Sequence, residues 1–412
     1  MKRTLLPLLL LTAGASLLLL LWKQNTLDAS AGQTRWYKGN THTHTLWSDG
    51  NDFPDMVIAW YRDRDYDFLA LSDHNVLSRG ERWMREEDIQ KRRRSLGVST
   101  LEKYRARFGS PLVETRVKDG AVEVRLRTLE ELRPYFEKPG EFLLIEAEEI
   151  TDSWQNLPVH LNALNLPELI EPQRGDSVRD VMRNNLRAAA EMEKRSGQSI
   201  LVHLNHPNFG WGVSAEDLGH VLEEPFFEVY NGHPSVHHLG DAEHASVERM
   251  WDIANTIRLH ELKAPPLYGL ATDDSHHYHG GDVSPGRGWI MVRAPALETE
   301  ALIAAMRAGD FYASSGVLLD SIHFDGKKLE IVIASQGPET YETNFIGARS
   351  GDPQAPGVVL ATVPGARPQY RLQGDELYVR ATVTSSKAHP NPSFQGQHEQ
   401  AWTQPTGWRN RF

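Results

Sequence analysis

Asp67-Phe68-Leu69-Ala70-Leu71-Ser72-Asp73-His74-Asn75 is the stretch from which the rest of this chain can be read. A short apolar run bounded by polar residues is too brief for a helix and suits a strand buried on both faces. A histidine lies directly past its end. The same grammar recurs at Glu141–Ile150, Val159–Leu164, Ser199–Leu204, Phe226–Tyr230 and Leu267–Ala271. Helical patterns fall between them. Pro54 suits the first turn of a helix running to about Arg64. Val178, Val181, Met182, Leu186, Ala189 and Ala190 recur at helical spacing, and Gly197 stops that helix. Strands alternating with helices predict a parallel sheet covered by helices, open or closed into a barrel.

The charged stretch from Glu81 to Lys138 fits this alternation poorly. It reads as an insertion, about residues 80–140, with helices and a hairpin of Leu112–Val117 and Val122–Arg127 turning at Asp119-Gly120. From about Val317 the pattern changes to short β-like runs split by Gly, Pro and Asp: Leu329–Ala334, Thr343–Gly347, Val358–Val363 and Leu377–Thr384. These predict a small antiparallel β domain over residues 317–412, with the tail after Lys387 mostly irregular.

Candidate ligands collect at the strand ends. His42-Thr43-His44 closes the first strand, and residues two apart on a strand share a face, so both imidazoles can reach one ion. Asp49 follows in Ser48-Asp49-Gly50. His74 follows the second strand, Glu149 ends the next, and His160 lies in the one after. His206 sits in Asn205-His206-Pro207, and Asp274 and His276 in Asp273-Asp274-Ser275-His276. Groups at the carboxyl ends of successive parallel strands converge on one mouth, where such folds place their sites. His233 follows Tyr230-Asn231-Gly232 at another strand end, a candidate substrate contact. Glu146 and Glu148 compete with Glu149, Asp273 with Asp274, and His277 with His276. His203, inside its strand, reads as a buried supporting histidine.

Composition narrows the chemistry. The 412 residues include 18 His and no Cys. Disulfides and thiolate sites are therefore excluded, and any metal must be held by nitrogen and oxygen. A net charge of −11 argues against a broad nucleic-acid-binding surface. Lys2 and Arg3 precede an apolar run from Leu5 to Trp22, and Ala29-Ser30-Ala31 offers a small-residue cleavage site. Residues 1–31 read either as a cleaved export signal or as an uncleaved membrane tether. Both place the globular part outside the cytoplasm, in the periplasm or beyond.

These residues, in this order, resemble the polymerase and histidinol phosphatase (PHP) family over roughly Trp36–Ser315. The resemblance implies a distorted (β/α)7 barrel over residues 32–316 and two or three divalent ions, Zn, Mn or Fe. It implies that His42, His44, Glu149 and Asp274 hold one metal. Glu149 would bridge to a second, held also by His160 and His206, and Asp49, His74 and His276 would hold a third. Glu149 and its Glu-Ile-Thr match the family pattern, and the D-x-H spacing selects Asp274 and His276. Gly286-Arg287-Gly288-Trp289 also looks like a family segment, which makes Arg287 a candidate contact for an anionic substrate. The expected function is hydrolysis of a phosphate monoester or small phosphodiester by a metal-bridging hydroxide. An ester, carbamate or amide hydrolase of the carbaryl-hydrolase-like branch is the alternative. A non-catalytic exported binding module stands further off, because a binder has no need of so many converging ligands.

Overall fold

In the computed structural model, residues 34–92, 97–109, 112–335 and 337–409 are described. The segment read as an export signal or tether lies outside them. Among the described residues no helix is long and apolar enough to cross a membrane.

The architecture is mixed α/β. In chain order, β1 (Arg35–Asn40) leads through the helix Pro54–Arg62 to β2 (Phe68–Leu71). The insertion follows, with β3 (Arg82–Arg85), two helices, β4 (Thr115–Lys118), β5 (Ala121–Leu126) and the helix Leu129–Phe136. Next come β6 (Leu143–Trp154), β7 (Leu157–Leu164), the helix Val178–Ser196, β8 (Leu201–Leu204), β9 (Phe226–Asn231) and β10 (Tyr268–Thr272). After β11 (Trp289–Ala294) and β12 (Phe311–Ser314) the chain is almost all strand: β13 (Leu319–Phe324), β14 (Lys328–Ile333), β15 (Tyr341–Arg349), β16 (Val358–Pro364), β17 (Gln369–Arg371), β18 (Glu376–Ala388) and β19 (His398–Thr403).

The main sheet runs β10-β9-β8-β7-β6-β2-β1-β11-β12-β19-β18-β15-β16. It is not the parallel sheet that alternation predicts. β1, β2 and β6 are mutually parallel, as are β8, β9 and β10, but β7 runs against both its neighbours. The cause is local. Trp154 pairs with Leu157 across Gln155 and Asn156, with Gln155 in the left-handed region at φ 53°. So short a link can only reverse the chain, because a parallel return needs a dozen or more residues.

The two ends of the run from β1 to β10 also touch. Thr43 bridges Ser275, His44 N–H donates to Ser275 O at 3.0 Å, and Asp274 N–H donates to His42 O at 3.1 Å. This seam is a single bridge just past the strand ends rather than a ladder.

The C-terminal strands extend the same sheet, β12 pairing with β19 and β19 with β18. The tail read as irregular therefore supplies a strand. β13, β14 and β17 make a separate small sheet, as do β3, β5 and β4 in the insertion. The Asp119-Gly120 hairpin is present, with φ of 49° and 77°.

The long helix shows why the core forms where it does. Ser177 caps it by accepting from Asp180 N–H, and Gly197 ends it at φ 73°. Its buried face, Val181, Met182, Leu186, Ala189 and Met192, packs on Leu161 and Val202 of the sheet. Each such large aliphatic side chain contributes roughly 1.5–3 kcal/mol by burial.

Candidate metal centre

Each candidate ligand is held by backbone that the strand ends dictate. Past β1 the chain bends at Thr41 and runs through His42-Thr43-His44, every residue of it buried. Hydrogen bonds from this stretch to Ser72 Oγ and Ser275 O fix its position. The chain then turns tightly, and Gly50 approaches His44 so closely that an added Cβ would lie 2.7 Å from its carbonyl. That turn swings Asp49 back, its side chain still 54% exposed. His74 and Glu149 form an isolated parallel bridge, and Asn75 N–H donates to Glu149 O at 2.9 Å.

Glu149 does not end its strand, as the sequence suggests. β6 runs on to Trp154 because its hairpin partner continues, pairing Thr151 with His160. His160 thus reaches the same end of the sheet from an inverted strand. His206 and Asp274 both adopt positive φ, 22° and 48°, after β8 and β10.

The nine ligand candidates gather into four overlapping groups whose donor atoms all lie within 4.8 Å of one another. These are His44, Asp49, His74 and His276; His42, His206 and Asp274; His42, His44 and Glu149; and Glu149, His160 and His206. Glu149 is the hub. Its Oε1 lies 3.5 Å from His42 Nε2, 3.0 Å from His160 Nδ1 and 3.3 Å from His206 Nε2. Its Oε2 lies 3.5 Å from His44 Nε2 and 2.7 Å from His74 Nδ1. Asp274 Oδ1 stands 3.3 Å from His42 Nε2 and 3.1 Å from His44 Nε2. Asp49 reaches His276 Nε2 at 3.3 Å and His74 Nε2 at 3.5 Å.

These separations would suit ligands around a shared cation. His42 Nε2 and His44 Nε2 are buried and make no hydrogen bond among the described residues. Such orphans are costly unless something unseen satisfies them. The electrostatics agree. Burial alone would raise the Glu149 carboxyl, yet His74, His42 and His160 hold it well below its usual range. Asp274 is likewise held down against its burial, chiefly by His42 and His44. The imidazoles cannot all share the resulting field. Burial, with His276 and His74 beside it, pushes His44 down to about 3, whereas Glu149 and Asp49 lift His74 to about 11 despite burial. Divalent ions bind neutral imidazole and ionised carboxylate, and would take the place of these protons.

The competing residues face elsewhere. Glu146 pairs with Arg79, and Glu148 accepts from Ile170 N–H on the opposite side of β6. Asp273 accepts from Tyr61 Oη and the N–H groups of Gly286, Arg287 and Gly288. His277 contacts Asp282 at 3.1 Å. His203 is fully buried 3.9 Å from Glu228, and burial pushes it down to about 4. His233 does stand at the cluster, with ring centroids 5.8 Å from His276 and 6.0 Å from Phe209. Its Nδ1 accepts from Ser235 N–H.

Arg287, the candidate contact for an anionic substrate, is engaged by the protein's own oxygens. Its guanidinium donates to Gly232 O at 2.7 Å, Asp282 O at 2.5 Å and Asn391 O at 3.1 Å. Three carbonyls from three segments, with the Asn391 side-chain oxygen at 3.2 Å, engage the planar fork, which ties these loops together.

Sequence reasoning also missed Glu228. It is buried in the middle of β9 and lies 2.7 Å from His42 Nδ1. The available signal was an acid inside the apolar run Phe226-Phe227-Glu228-Val229-Tyr230, since buried carboxylates require partners.

No family model and no curated protein matches the chain. Solved structures similar to it include the following two. One, from Bacteroides vulgatus ATCC 8482, is described as a two-domain protein containing a "predicted PHP-like metal-dependent phosphoesterase". It is 14% identical with a TM-score of 0.41, over 90% of this chain and 95% of that one. The other, from Bifidobacterium adolescentis ATCC 15703, is described as a "putative metal-dependent phosphoesterase". It is 13% identical with a TM-score of 0.31, over 60% of this chain and 91% of that one.

Proposed function

We propose that this chain is an exported, metal-dependent hydrolase of PHP type, acting as a phosphoesterase on a phosphate monoester or small phosphodiester. The observation that carries the reading is the convergence of nine His, Asp and Glu side chains, two of whose imidazole nitrogens, His42 Nε2 and His44 Nε2, are buried with no hydrogen bond among the described residues. Two or three divalent ions would be held there, with Glu149 shared between groups. The barrel reading fits the run β1-β2-β6-β7-β8-β9-β10 and its seam at Thr43 and Ser275.

When bound, the ions supply Lewis acidity and water acidified toward neutral pH. The chain's own residues do the rest. Asp274 and Glu149 would supply anionic charge to offset that of the ions. His233 offers the substrate a donor: because Nδ1 accepts from Ser235 N–H, the neutral ring carries its proton on Nε2. That N–H suits a phosphoryl or leaving-group oxygen.

One observation favours keeping carbonyl substrates in view. With Arg287 tied to backbone carbonyls, the guanidinium once expected to select an anion is otherwise engaged. An ester, carbamate or amide hydrolase therefore remains the second reading. The test is metal analysis of the purified protein, followed by phosphate monoesters, diesters, nucleotides and carboxylic esters with and without chelator. Bound metal and chelator-sensitive turnover of phosphate esters are expected. Turnover confined to carboxylic esters would replace the first reading by the second, and turnover indifferent to chelation would end both.

A further inference from the structure

We propose that Glu228 is a positioning residue for the metal centre, fixing the tautomer of His42 and the seat of His206. The inference rests on the metal-binding reading above. Glu228 is 1% exposed, and its ion-pair partners among the described residues are His42 and His203. Oε1 lies 2.7 Å from His42 Nδ1 and accepts from Thr272 Oγ1 at 2.8 Å. Oε2 accepts from His206 N–H and Asn231 Nδ2, both at 2.8 Å. One carboxylate therefore joins the ends of β1, β8 and β10 to its own strand, and touches two ligand candidates.

The consequence for His42 follows from hydrogen-bond roles. An imidazole nitrogen facing a carboxylate carries the proton, so Nδ1 donates and Nε2 keeps its lone pair. Nε2 is the atom that faces Glu149 and Asp274 and has no hydrogen-bond partner among the described residues. Glu228 thus keeps His42 in the form that can bind a metal through Nε2.

Glu228→Gln should reverse this without emptying the space. Oε2 meets two groups that can only donate: the His206 N–H, and an Asn231 amide whose oxygen already accepts from His233 N–H. The glutamine carbonyl must take that position. Its NH2 then faces Thr272, whose hydroxyl can turn to accept, and His42 Nδ1, which must also accept. The His42 proton moves to Nε2, into the cluster. The groups containing His42 lose a ligand, while His44, Asp49, His74 and His276 keep theirs.

The experiment titrates Zn²⁺, and separately Mn²⁺, into chelator-stripped wild type, Glu228→Gln and Glu228→Asp, against a chromophoric chelator. Thermal melts in chelator report the fold. One ion should bind Glu228→Gln about 10–100-fold more weakly than wild type, with the remainder unchanged and the metal-free melt preserved. Glu228→Asp should recover part of the loss. Equal affinity and stoichiometry in wild type and Glu228→Gln would overturn the proposal. Should Glu228→Gln not fold, the imidazole nitrogen spectrum of metal-loaded wild type decides. His42 protonated at Nδ1 supports the assignment, and protonation at Nε2 overturns it. Wild type that binds neither ion would instead refute the metal centre itself.

Discussion

Glu148 and Glu149 are adjacent, buried and chemically alike, yet their surroundings predict opposite behaviour, and Glu148→Gln measures the difference. Glu148 is fully buried, and among the described residues no cation lies beside it. Burial pushes its carboxyl from the usual 4.5 up to about 8, although the Ile170 N–H it accepts works the other way. The folded pKa lies above the unfolded one, so the folded chain binds more protons between those values. Glu148 then costs folding nothing well below pH 4.5, and its penalty grows as the pH climbs toward 8. Linkage puts that penalty at about 1 kcal/mol at pH 5 and about 3 kcal/mol at pH 7. An uncharged glutamine has no such dependence. Its amide carries a cost of its own, because Glu148 Oε2 has no partner among the described residues, but that cost does not change with pH. The wild-type-minus-variant difference should therefore shift by about 2 kcal/mol between pH 5 and pH 7, in favour of the variant at the higher pH. Guanidinium unfolding of chelator-treated proteins, followed by fluorescence of the 11 tryptophans, reads this directly. Parallel curves for the two proteins across that range would refute the argument. Loss of metal from the variant would show that Glu148, not Glu149, faces the ions.

Glu149→Gln should fold yet lose metal, and with it at least about 100-fold in turnover, as read by elemental analysis and kcat, because an amide cannot neutralise shared cations. Arg287→Lys should lower turnover of phosphate and carboxylic esters alike, and lower Tm, because the lost contacts are loop carbonyls; a loss confined to phosphate esters would return Arg287 to the substrate. Arg380 is fully buried, bidentate to Asp252 at 2.8 and 2.7 Å and 2.8 Å from Glu248, which fastens β18 to the helix Val247–Thr256. Arg380→Met should cost roughly 3–5 kcal/mol in denaturant unfolding by leaving the buried Asp252 without its counter-charge, Tyr378 Oη still donating to it, and adding Asp252→Leu should recover much of it.

How much of this could be read from the sequence depended on whether the information was local. Buried strands such as Phe68–Leu71 and Phe226–Asn231 are legible because a short apolar run between polar boundaries has few other uses. β19 is not: His398, Glu399 and Gln400 give it no apolar signature, and it is a strand only because β12 and β18 pair with it. The inversion of β7 hides for a related reason. Its pattern of side chains would suit either direction, and only the length of the link at Gln155-Asn156 decides. Arg287 shows the limit for function. A glycine-flanked arginine near candidate ligands is as compatible with a loop clamp as with a substrate contact, and what distinguishes them is the position of Gly232, Asp282 and Asn391, distant in sequence.

The unresolved pairs in the sequence, Asp273 with Asp274 and Glu148 with Glu149, reflect a division of labour rather than redundancy. At the end of β2, Asp73 accepts from Thr45 N–H, Thr45 Oγ1, Ser48 N–H and Ser48 Oγ, which shapes the turn that returns Asp49, while its neighbour His74 faces the cluster. At the end of β10, Asp273 gathers three consecutive N–H groups from Gly286 to Gly288, while Asp274 turns inward at φ 48°. In β6 the alternation of a strand does the same, sending Glu148 to Ile170 and Glu149 to the histidines. Glu228 extends the rule, since it anchors from β9 what His42 presents from β1. A centre that gathers three carboxylates and six imidazoles needs backbone fixed in place to hold each of them in its position. The acids that anchor the loops are therefore as necessary to the site as the acids that would touch metal. They look the same in sequence because both need a carboxylate at a strand end, and only the direction of the side chain separates them.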